Sequence, residues 1–159
     1  MEKKYEFLGE TLEVEDYILH RIKAIRSFSD VKKGDLGGWV EKESNLSHYG
    51  NCWIYNNAKV FNNAHVCGDA VIYADVEDNA TITGDAKVCS IRDYLVFKNW
   101  WSSGRYFTWT RSNNMWKVGC FLGTGEELIR RAYADNSTSG REYARIVNYV
   151  EFIKSRIDK

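Results

Sequence analysis

Residues 52–89 read CWIYNN AKVFNN AHVCGD AVIYAD VEDN ATITGD AKVC. A small residue opens most units (Cys52, Ala58, Ala64, Ala70, Ala80, Ala86), and an aliphatic one follows two places on (Ile54, Val60, Val66, Ile72, Ile82, Val88). The units close on pairs such as Asn56-Asn57, Asn62-Asn63, Gly68-Asp69 and Gly84-Asp85, and the unit starting at Val76 is two residues short. Alternate side chains of a strand point to opposite faces, so residues two apart share one face. Asn, Asp and Gly tolerate the left-handed backbone that a tight corner needs. Three short edges and three corners close a triangular coil, and stacked coils bury their Ala and Val columns against each other. Units 18 residues apart then share a wall, which sets Trp53 beneath Val71 and Tyr55 beneath Tyr73.

The flanks carry other patterns. Lys4–Leu8, Thr11–Val14 and Tyr17–Ile25 alternate as strands, and Gly34-Asp35-Leu36-Gly37-Gly38 is a turn cluster. Beyond the hexads, Tyr94–Phe97 reads as a strand. Tyr106–Arg111 and Met115–Phe121 flank Ser112-Asn113-Asn114 as a hairpin. Thr124 with Glu127, and Ser139 with Glu142, have the spacing of capping boxes and open two helices, ending near Ala134 and Arg156. The expected division is a strand-rich cap over 1–43, hexads over 44–91, and a hairpin with two helices over 92–159.

The A-x-[VI]-x-x-x unit resembles the hexapeptide repeat of left-handed parallel β-helices. Residues 21–55, RIKAIRSFSDVKKGDLGGWVEKESNLSHYGNCWIY, resemble the opening of phage- and prophage-encoded hexapeptide-repeat proteins of bacteria. The resemblance implies a mainly β fold: a short left-handed parallel β-helix with an N-terminal strand cap and a C-terminal α+β appendage. It further implies a homo-oligomer, trimer favoured, working in the host-cell cytoplasm. The repeat family contains acyltransferases and γ-class carbonic anhydrases as well as non-enzymatic scaffolds, so the resemblance specifies fold more closely than function.

Composition narrows the function classes. Basic and acidic residues balance at 22 each, but residues 1–89 carry a net −5 and residues 90–159 a net +5. Such a split suits either mutual attraction of two surfaces or an anion site in the C-terminal part. No apolar run is long enough to span a bilayer, so no membrane partner is expected. Cys52, Cys67, Cys89 and Cys120 show no C-x-x-C pair or zinc spacing, and the three histidines, His20, His48 and His65, do not form a repeated ligand pattern. Neither a metal nor a cofactor is expected.

The candidate site is the aromatic and basic segment 98–121. Trp101, Tyr106 and Trp109 offer stacking faces, while Arg105, Arg111 and Lys117 offer charges for phosphates. Strand parity places Phe107, Trp109 and Arg111 opposite Tyr106, Thr108 and Thr110, so half of the set belongs to a core. Trp53, Tyr55, Val71 and Tyr73 form a second candidate surface, an apolar patch suited to self-association. The expected function is non-catalytic: capture of a host defence protein, or sequestration of a nucleotide signal. The alternatives are a structural phage part and an acyltransferase with His65 as general base, since an imidazole suits proton abstraction near neutral pH. Cys67 shares the outward face of His65, a pairing read as incidental.

Overall fold

In the computed structural model, which describes residues 2–159, the chain opens with a hairpin of β1 (Tyr5–Val14) and β2 (Tyr17–Ala24). A bulge between Phe7 and Thr11 interrupts their antiparallel register. β3 (Leu36–Val40) pairs antiparallel with β2, and Val40, Leu46 and Val60 are fully buried. Gly37 and Gly38 have no room for a side chain: a Cβ at Gly38 would sit 2.3 Å from the Ala58 carbonyl oxygen.

The hexads contribute six strands of two residues each. They are β4 (Trp53–Ile54), β5 (Lys59–Val60), β6 (His65–Val66), β7 (Val71–Ile72), β8 (Thr81–Ile82) and β9 (Lys87–Val88). Trp53 pairs in parallel with Val71, eighteen residues on, whereas Val71 pairs with Lys87 and His65 with Thr81 at sixteen. The two-residue deficit at Val76–Asn79 accounts for the shorter step. Asn56, Asn62, Asp78, Gly68 and Gly84 have positive φ, the backbone their sequence positions suggest. Ala64, Val66, Ala70, Ile72, Ala80, Ile82, Ala86 and Val88 are all buried in one core.

These pairings correct the expected fold class. The short left-handed parallel β-helix is not the architecture: the strands fall into four small sheets, mixed, parallel and antiparallel, with no closed or continuous solenoid sheet. β5 joins the N-terminal sheet in the order β1-β2-β3-β5, β4-β7-β9 form a second sheet, and β6-β8 a third. The physical reason lies in the six-residue unit. Corners consume four residues and leave two for pairing, so each ladder is too short to extend into a common sheet.

The fourth sheet is antiparallel throughout: β10 (Tyr94–Lys98), β11 (Tyr106–Thr110), β12 (Met115–Val118) and β13 (Phe121–Gly123). Its outer face packs Phe107, Trp109 and Trp116 against Leu128, Ala132, Tyr143, Val147 and Val150 of two helices. Those helices are α1 (Gly125–Asp135) and α2 (Ser137–Ile157). Thr124 and Glu127 form the expected capping box on α1. α2 starts earlier than expected, because the Asn136 side chain accepts from the Ser139 amide at 2.9 Å and takes the cap. The inner face of the sheet meets the hexads. Thr108 Oγ1 accepts from the Thr81 amide at 2.9 Å, Ser112 Oγ from the Lys87 amide at 2.7 Å, and Asp85 from Asn113 Nδ2 at 3.0 Å. No described helix is long and apolar enough to cross a membrane.

Candidate functional site

Where the inner face of the C-terminal sheet leaves the hexads, a cleft of about 520 Å³ opens. β6 supplies His65 and, just past its end, Cys67; β8 supplies Thr81. The opposite wall carries Arg105 and Tyr106 at the start of β11, Lys117 on β12, and Gly119 in the turn to β13. Lys117 points this way because it is paired with Thr108, whose side chain already faces Thr81. Tyr106 is 45% exposed, with the Lys98 ammonium 5.8 Å from its ring centre. Neither Arg105 nor Lys117 has an acidic partner among the described residues.

His65 is held in one tautomer. Its Nδ1 lies 2.7 Å from the Ser44 carbonyl oxygen, which only accepts, so Nδ1 carries the proton. Nε2 is the ring nitrogen that remains for the Cys67 side chain. The hydrogen bond with the Cys67 side chain is the main influence raising the imidazole pKa above its usual value; burial opposes it, and the Ser44 carbonyl adds to it. Burial alone would raise the Cys67 thiol. Hydrogen bonds from His65 and Thr83 and the charges of His65 and Lys117 outweigh it and hold the thiol below its ordinary value. The opposite directions of the two shifts describe one interaction, in which the thiolate and the imidazolium each favour the other's charged form.

The structure brings together Arg105, Tyr106 and Lys117 from the sequence-derived ligand set, and adds His65 from the separately considered catalytic alternative. Trp101, Trp109 and Arg111 lie elsewhere. Trp109 is fully buried, with its Nε1 donating to Asn114 Oδ1 at 2.9 Å. Trp101 packs edge-on against Tyr143 at 4.9 Å and donates to Ser139 Oγ at 3.2 Å, so it anchors α2. Arg111 bridges Asp93 and Asp158, tying β10 to the C-terminal end of α2. Cys67 is the residue that sequence reasoning noted beside His65 and set aside as incidental. The available signal was its two-residue spacing from His65.

The apolar patch is largely covered by the chain itself. Trp53 is only 1% exposed, against Phe28 at 5.4 Å, and Tyr55 stacks on Tyr73 at 4.7 Å while donating to Asp30 at 2.7 Å. Val71 is half-buried and Tyr73 remains 39% exposed. The described residues hold no group of three or more His, Cys, Asp or Glu placed to bind a metal.

No protein-family model matches the chain. A protein of Escherichia coli K12 named uncharacterized acetyltransferase YdcK is 49% identical to it over 37 residues. That similarity covers 23% of this chain and 11% of the E. coli protein, so the chain spans a small part of the relative it matches.

Proposed function

We propose that the chain binds a small anionic ligand of the nucleotide class in the cleft between the hexads and the C-terminal sheet. The observation that carries this reading is the convergence of two cations without acidic partners, Arg105 and Lys117, at an opening bordered by the exposed Tyr106 ring. A guanidinium grips phosphate oxygens in a fork, an ammonium adds a point charge, and a phenol ring offers a stacking face to a base. The net +5 of residues 90–159 favours approach of an anion to this part of the chain. Sequestration of a nucleotide signal by a phage-type protein is the biological setting that the resemblance of residues 21–55 suggests. The test is mass spectrometry of small molecules co-purifying with the native protein, followed by calorimetry with mono-, di- and cyclic nucleotides at low and high salt. Binding that weakens as salt rises supports the reading. A protein that carries no nucleotide and shows no heat with any of them contradicts it.

Acyl transfer with His65 as general base is the second reading. It is supported by the single tautomer that Ser44 imposes, and by the name of the E. coli relative, within the short span of that similarity. Here His65→Ala abolishes turnover of an acyl donor while leaving its binding intact. Turnover that persists in this variant removes the reading.

A further inference from the structure

We infer that Cys67 is a nucleophile whose electrophiles are small anionic disulfides, making the cleft a site of selective S-thiolation. The inference rests on the anion-accepting character proposed above for the same cleft and adds a covalent chemistry to it. Cys67 and His65 leave the hexads on one face and line one opening, with Arg105 and Lys117 across from them. The charged and titratable groups that face the thiol are therefore His65 on its own segment and Arg105, Tyr106 and Lys117 on the opposite wall. The other thiols are placed differently: Cys52 is buried, its thiol raised mainly by burial, while Cys89 and Cys120 are exposed and do not line this cleft.

Exchange at sulfur makes few demands. A thiolate must approach along the S–S axis, and the departing thiolate must be stabilised. The Cys67 thiolate attacks one sulfur of R–S–S–R; a Cys67–S–S–R bond forms as the original S–S bond breaks. Cys67 is oxidised, the departing sulfur is reduced, and R–S⁻ leaves beside Arg105 and Lys117. The proton that His65 took from the thiol at Nε2 neutralises R–S⁻. The disulfide is itself the oxidant, so no further reagent enters. Cys67 is the sole thiol lining the cleft, so the mixed disulfide has no resolving neighbour and persists until an external thiol removes it. While it persists, the adduct fills the space a nucleotide would occupy.

The test uses the full chain carrying Cys89→Ser and Cys120→Ser. Its thiol reactivity is followed with 5,5′-dithiobis(2-nitrobenzoate), a dianionic disulfide, and with neutral 2,2′-dithiodipyridine, each normalised to free cysteine. The expected preference for the dianion is about tenfold or more, the scale of local ion concentration in a charged cleft. Arg105→Glu or the milder Lys117→Gln erases it, and raised salt reduces it. The rate–pH midpoint lies below that of an ordinary thiol, and His65→Asn moves it upward. Cys67→Ser removes the reaction. A thiol that titrates normally and reacts no faster than free cysteine, in protein that still binds nucleotide, overturns the inference and leaves the nucleotide reading standing. Equal rates for both reagents, unmoved by either charge substitution, in protein that binds no nucleotide, overturn both.

Discussion

The hexads and the C-terminal sheet are both β structure, yet they bury their side chains on opposite plans. The hexads hide small and branched residues, Ala64, Val66, Ala70 and Ile72 among them, with each strand only two residues long. The C-terminal sheet hides large rings, Phe107, Trp109 and Trp116, under two helices. Its inner face is closed as well: Thr108 and Thr110 are 1% and 5% exposed, and Thr108 bonds the hexad amide of Thr81. The hexads are therefore packed through small side chains repeated in register, and the C-terminal sheet through a few large aromatic ones. The cleft lies where these two regions part, with a thiol and an imidazole on the hexad side and two cations on the other.

The harshest way to break this contrast is Val66→Asp. Val66 is fully buried among apolar side chains, so a carboxylate there is cut off from water. The expected loss exceeds about 4 kcal/mol, and the thermal transition of the whole chain disappears. A variant that melts at the wild-type temperature would show that the hexad core is placed incorrectly.

Trp109→Ala comes next. Emptying a buried indole costs about 3–5 kcal/mol. If the two regions differ as described, amides of β10–β13 and both helices lose hydrogen-exchange protection first, and hexad amides keep theirs. Simultaneous loss in both regions would mean that they are one cooperative unit.

Thr108→Val sharpens the comparison at the joint. The valine keeps the shape but leaves the Thr81 amide without its acceptor, at a cost of about 1–3 kcal/mol. Because Lys117 faces the cleft through its pairing with Thr108, ligand affinity falls along with stability. Unchanged affinity would show that this tie does not position the cleft wall.

The smallest effect concerns pH. His48 is buried beneath the N-terminal strands, stacked on Tyr5 at 4.1 Å, and accepts from the Lys4 amide through Nδ1 at 3.3 Å. Burial lowers its pKa despite the opposing pull of Glu43, with Lys3, Lys4 and Arg26 lowering it further. The unfolded chain therefore takes up a proton near pH 6.5 that the folded chain refuses until lower pH. Stability declines as pH falls from about 6.5 towards the folded value, and His48→Gln flattens that part of the melting-temperature profile. A profile unchanged by this substitution would assign the decline to other groups.

The sequence was most legible where chemistry repeats. The aliphatic positions of the hexads are the buried ones, and Asn56, Asn62 and Asp78 take the corner conformation their residue types favour. How those strands combine was not legible. A six-residue period fixes which side chains turn inward, but not whether two-residue ladders merge into one sheet, and here they are divided among three. In the candidate site, parity separated Trp109 from Tyr106 correctly, but it gave no account of Trp101, whose place is set by the distant Ser139 and Tyr143. Arg111 reads like Arg105 in sequence and differs only through partners at Asp93 and Asp158, the latter 47 residues away. Cys67 was visible beside His65 but took on meaning only with Lys117 across the cleft, a proximity created by tertiary packing.

That difference between two similar arginines gives the most direct test of the nucleotide cleft. The measurement is isothermal calorimetry of the tightest-binding nucleotide with wild type, Arg105→Glu and Arg111→Glu, each paired with a thermal melt. Arg105→Glu should weaken binding by tenfold or more, about 1.4 kcal/mol or above, with an unchanged melting temperature. Arg111→Glu should lower the melting temperature, because two carboxylates lose their cation, and leave the affinity of the folded protein within a few-fold of wild type. The reverse pattern, with Arg111→Glu abolishing binding and Arg105→Glu leaving it intact, would place the anion site away from the His65–Cys67 cleft and contradict the assignment.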